Sequence, residues 1–164
     1  MPEVGDGLYL TLKLLHLLGV VLYLGGLVVG AYWKATADRS GDPPHAARVH
    51  RRLRAMDKHL VGPGALLTFA AGYVMIRGFG SRIAERPFAL WGLIVMFVSL
   101  AIWYFAMRRL ADRLIVEAES AAASRQPLGA AYARLSAGWI LASLAAILLV
   151  VAVAVMMVFK LPGP

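Results

Sequence analysis

The sequence predicts an all-α protein: a four-helix transmembrane bundle that forms one domain over residues 1–164. Three observations carry this. Of the 164 residues, 60% are hydrophobic, and the mean hydropathy is +0.71, more apolar than a soluble domain of this size sustains. Four stretches, roughly 8–33, 59–77, 88–107 and 137–159, match the approximately 20 apolar residues that a helix needs to cross a bilayer core. No stretch alternates apolar and polar residues, which argues against a β-barrel.

The first stretch, "LYLTLKLLHLLGVVLYLGGLVVGAYW", follows acidic residues, Glu3 and Asp6, rather than a basic region. It is expected to be a retained helix and not a signal peptide. Between it and the second stretch, "GDPPHAARVHRRLRAMDKHL" places Asp42 as an N-cap before prolines suited to a first helical turn. Val49, Leu53, Met56 and Leu60 then recur at helical spacing. The second helix is therefore expected to begin near Pro44, outside the membrane. The third helix is expected to overrun the bilayer through "RRLADRLIVEAESAA". The segment "SRQPLG" separates it from the fourth.

Charge sets the topology. Lys34, Arg39, Arg48, Arg51, Arg52, Arg54 and Lys58 lie between the first two stretches, and Arg108, Arg109, Arg113, Arg125 and Arg134 between the last two. The middle loop holds Arg77, Arg82 and Arg86. The positive-inside rule puts the first and third loops in the cytoplasm and both termini outside, in a bacterial inner membrane. Helices 2 and 3 then extend into the cytoplasm. The formal charge of +8 reflects these loops and not nucleic-acid binding. Such a basic face also attracts anionic lipid, at about 1 kcal/mol per charge. No cysteine is present, which excludes disulfides and thiolate metal centres.

His16 is the candidate site. On a helix it shares a face with Gly19, Tyr23, Gly26 and Gly30. Glycines allow a second helix to approach closely, so His16 is expected to point into the bundle. An imidazole there suits haem iron or copper; the alternative is a histidine hydrogen-bonded to a neighbouring helix, worth roughly 0.6 kcal/mol. The glycine-lined face is expected to leave room for a flat macrocycle. Lys13, one turn outward, either snorkels to the interface or meets a haem propionate. His45 and His50 lie in the basic linker, and no carboxylates there complete a metal site. His59 is expected about 20–25 Å from the level of His16, at about 1.5 Å per residue, so one haem cannot be held by both. A sixth ligand would come from Met75, Met96, Met156 or Met157, or from His16 of a second copy. Tyr9, Tyr32, Trp33, Trp91, Trp103, Tyr104 and Trp139 fall near span ends, as an interfacial belt does. Tyr23 is mid-span and needs a buried partner. Asp57 and Glu85 lie outside the spans, and Asp57 is expected to pair with Arg54 or Lys58.

The stretch "KLLHLLGVVLYLGG", with Lys13, His16, Tyr23 and Gly26, resembles the opening motif of three sets of small bacterial membrane proteins. These are the copper-resistance D family, the haem-b protoporphyrinogen IX oxidase family and an uncharacterised family of predicted integral membrane proteins. Pro63 and Gly72 stand at a spacing similar to that of the oxidase family's second span, and Lys160 and Pro162 resemble a shared Lys-Pro close. The match is best with the uncharacterised family and covers nearly the whole chain. Two oxidase features are missing: Trp91 is followed by "GLIVMFV" without a Lys, and "LSAGWIL" replaces a polar element opening the fourth helix. The resemblance implies the bundle and His16 as a haem ligand, and does not carry over tetrapyrrole oxidation. The expected function is b-type haem binding, or copper binding, for electron transfer. The rival is a non-catalytic membrane protein that assists assembly of a partner complex or packs against it.

Overall fold

A computed structural model describes residues 3–78 and 87–161. Arg82, Glu85, Arg86 and Pro162 lie outside the described residues. The described chain is helical almost throughout: α1 is Glu3–Ser40, α2 Pro43–Gly78, α3 Pro87–Ser124 and α4 Ala130–Phe159. Each is long and apolar enough to cross a membrane. Outside the apolar stretches 8–33, 59–77, 88–107 and 137–159, the other turns of each helix carry most of the basic residues.

The helix ends follow local chemistry. After α1, Gly41 takes a left-handed φ of +64°, the conformation that closes helices and favours glycine. The Asp42 side chain then accepts from the His45 N–H, and Pro43 and Pro44 occupy the first turn of α2. Missing N–H groups are harmless there. After α3, Arg125 adopts a left-handed φ of 53°, and the chain re-enters helix at Ala130.

α1 and α2 run antiparallel in close register. A Cβ on Gly19 would meet the Thr68 backbone N at 2.6 Å, one on Gly26 would meet Val61 Cγ2 at 2.6 Å, and one on Gly30 would meet Met56 Cε at 3.1 Å. The glycine face of α1 thus meets a helix, as its spacing predicts. The core runs on through Tyr23, Val61, Met96, Trp103, Trp139 and Val150. Leu14, Leu66, Phe97, Leu141 and Val158 stay exposed on the outside, where lipid would cover them.

Two helices widen by one residue at matching places. In α2 the Gly62 N–H donates to the Asp57 carbonyl, and in α3 the Arg108 N–H donates to the Trp103 carbonyl. These five-residue spacings mark π-type turns at Asp57–Val61 and Ile102–Met107, a feature frequent at functional sites. The extra residue shifts the buried stripe of α2. Val49 and Leu53 are buried as their spacing predicts, but Leu60 is turned outward and Val61 takes the core position. The turns are joined across the interface: Trp103 Nε1 donates to Asp57 Oδ1 at 3.2 Å. Three expectations change. Trp103 and Trp139 are buried rather than interfacial; Arg54 pairs with Asp112 instead of Asp57; and Asp57 serves Trp103.

Candidate functional sites at His16 and at the basic end

His16 sits on α2. Its Nδ1 lies 2.8 Å from the Thr68 carbonyl oxygen, and a Cβ on Gly72 would meet Nδ1 at 3.1 Å and Cε1 at 3.2 Å. A carbonyl only accepts, so Nδ1 carries the proton. In the neutral ring Nε2 then holds a lone pair. Among the described residues Nε2 has no hydrogen-bond partner, and the ring is half-buried. A second-sphere bond from Nδ1–H to a carbonyl is the arrangement that orients a metal-binding imidazole and raises its basicity.

The fit of a macrocycle is restricted. Its expected place, the glycine-lined face, is filled by the α2 backbone, because Gly19 and Gly64 are each within 3 Å of the opposite chain once a Cβ is added. Tyr23 and Gly26 serve that packing. Tyr23 is fully buried, its hydroxyl donates to Ser99 Oγ at 3.1 Å, and its ring meets Trp103 edge-on. Lys13 is exposed one turn further along α1. Met96 lies in the core, and Met157 packs on Gly92; Met156 is half-buried on α4. Met75 follows Gly72 by three residues, one turn along the same face of α2. His59 is exposed on α2. The pairing of Gly26 with Val61 puts it about 18 Å along the axis from His16. Among the described residues no three His, Cys, Asp or Glu side chains gather in a metal-binding group.

The second site was hidden in the sequence. Lys34, counted above as a loop cation, has 0% of its surface exposed, and so does His50. Lys34 Nζ donates to Asp38 Oδ2 at 2.5 Å and to Ser136 Oγ at 2.6 Å, and lies 5.4 Å from the Trp139 ring centre. Ser136 Oγ donates to Asp38 Oδ2 at 2.6 Å, and Tyr132 O–H donates to Asp38 Oδ1 at 2.6 Å. His50 Nε2 is 2.9 Å from the Tyr132 oxygen. These groups tie α1, α2 and α4 together at the basic end. Asp38 and His50 lie beyond the apolar stretches. Burial works to raise the Asp38 pKa, but hydrogen bonds from Lys34, Ser136 and Tyr132 outweigh it and hold the carboxyl below its usual range. Burial, reinforced by the Lys34 ammonium, holds the His50 pKa down at about 4. The available signals were two i,i+4 pairs, Lys34–Asp38 and Tyr132–Ser136, each on one helix face.

A family model described as "Predicted integral membrane protein (DUF2269)" matches residues 10–161. The chain belongs to this family. The match spans all four helices and His16, and it accords with an integral, multi-pass membrane protein. Neither the curated proteins nor the solved structures contain a match.

Proposed function

We propose that the chain binds a b-type haem, or copper, through Nε2 of His16 and uses it for electron transfer. One observation carries this reading: the Thr68 carbonyl fixes the His16 proton on Nδ1 and leaves the Nε2 lone pair open. A haem would supply one-electron chemistry. The chain's part is to present the imidazole, hold the ring against Gly72 and exclude water with apolar surroundings. Because α2 fills the glycine face, a haem held by His16 would have to be accommodated outside the α1–α2 seam, against lipid, a partner helix or a second copy of the chain. Two copies facing one another would supply two imidazoles; Met75 is the internal alternative. Lys13, exposed one turn from His16, would meet a propionate in this reading.

The positive-inside reading sets this site in the outer half of a bacterial inner membrane, with the termini outside and the basic helix extensions in the cytoplasm against anionic lipid. The test is an absorption spectrum and metal analysis of the full chain, purified in detergent after expression with haem supplied. A Soret band supports haem, and bound copper without the band supports the alternative metal. A colourless, metal-free protein defeats both and leaves the rival role, packing against a partner membrane protein.

A further inference from the structure

The tautomer of His50 follows from its neighbours. Tyr132 has one hydroxyl proton and gives it to Asp38, so the Tyr132 oxygen can only accept from His50, whose Nε2 carries a proton. The His50 Nδ1 is therefore a bare lone pair. It is buried and has no hydrogen-bond partner among the described residues. A buried acceptor left dry loses the hydrogen bond it made with water in the unfolded chain, so a donor is called for.

Space for one exists beside it. A narrow cavity lined by His50, Met56, Asp57, Met107, Trp139 and Gly30 leaves about 10 Å³ for the centre of a small molecule, close to the room needed by one water. Asp57 and Met107 belong to the two widened turns, so the cavity opens where the α-helical hydrogen bonding of α2 and α3 is interrupted. Asp57 is the acid on its wall. Its other neighbours are the Trp103 indole, which donates to it, the guanidinium groups of Arg54 and Arg108, and the Asp112 carboxylate.

We infer that the cavity holds a water molecule and that Asp57, this water, His50, Tyr132 and Asp38 form a proton relay from the bundle interior to the surface of the basic end. Burial raises the Asp57 pKa above its usual range; a proton held there passes to the water, and the water gives one to His50 Nδ1. The Nε2 proton passes to the Tyr132 oxygen, and the Tyr132 proton passes to Asp38 Oδ1, on a partly exposed carboxylate. One proton has moved from Asp57 to Asp38, and the reverse movement restores the starting tautomer. The relay lies about 27 Å along α1 from His16, at about 1.5 Å per residue from 16 to 34, and stands independently of any cofactor there.

The test is NMR on the full chain, with nitrogen-15 histidine, in phospholipid nanodiscs. His50 should show a protonated Nε2, an unprotonated Nδ1 and an Overhauser contact from its ring protons to water. The Nε2 proton should exchange with solvent deuterium despite its burial. Tyr132→Phe should slow that exchange about tenfold or more, equivalent to about 1.4 kcal/mol of barrier. Asp38→Asn, which keeps an acceptor for Tyr132 but takes up no proton, should slow it likewise if Tyr132→Phe does not fold. No water contact at His50, a protonated Nδ1, or exchange that the variants leave unchanged would overturn the relay.

Discussion

Adding a single carbon at Gly19 tests the helix seam that positions His16. The Cβ of an alanine there would lie 2.6 Å from both the Thr68 backbone N and its Oγ1, and 2.8 Å from the Gly64 carbonyl oxygen. Ordinary contact begins at 3.4 Å, so the two backbones must separate by roughly 0.8 Å at this level. Overpacking of this kind typically costs about 1–3 kcal/mol. Gly25 is the internal control, because a Cβ there meets nothing within 4 Å. Both substitutions gain about 1 kcal/mol of helix propensity, so this gain cancels between them. Gly19→Ala should therefore be less stable than Gly25→Ala by about 1–3 kcal/mol, or roughly 2–12 °C in Tm at 2–4 °C per kcal/mol. Thermal unfolding of both variants in one detergent, followed by circular dichroism, reads the difference. Equal midpoints would mean that α1 and α2 do not meet through Gly19, and the placement of His16 on Thr68 would fall with it.

Ser99→Ala should destabilise the bundle more than Tyr23→Phe, because it strands a buried tyrosine hydroxyl at about 1–3 kcal/mol, whereas Tyr23→Phe leaves Ser99 donating to the Ala146 carbonyl; denaturant titration ranks the two. Lys34→Met should cost about 3–5 kcal/mol by leaving the Asp38 carboxylate without its cation, and Lys34→Met combined with Asp38→Asn should recover part of that loss in a double-mutant cycle. The His50 pKa is depressed to about 4 in the folded state from about 6.5 unfolded. The unfolded state therefore binds more protons between these values, and the stabilising effect, full above 6.5, is lost as pH falls toward 4. In His50→Phe that part of the stability–pH curve should flatten.

The helix seam was legible because its signal is periodic: His16, Gly19, Tyr23, Gly26 and Gly30 recur at three- and four-residue steps, and only close packing explains so many glycines on one face. The start of α2 was legible from Asp42 and the two prolines. The polar cluster was not. Lys34 and His50 look like loop cations until Asp38, Tyr132 and Ser136, up to about a hundred residues away, are brought beside them. Position along the chain also misled for Trp103 and Trp139, which sit near span ends yet turn inward. The widened turn at Asp57 carries no mark in the sequence, so a regular helical period placed Leu60 inside instead of Val61. His16 was singled out by residue type, and the face expected to leave room for a macrocycle is the one that α2 fills.

Haem content per chain in the parent, His16→Ala and His59→Ala proteins, expressed side by side with haem supplied, tests the central claim. If Nε2 of His16 is the ligand, the parent and His59→Ala should show the same Soret absorbance, while His16→Ala loses it and remains a folded helical protein in detergent. Loss of the band in His59→Ala with retention in His16→Ala would contradict the assignment and move the cofactor toward the basic end.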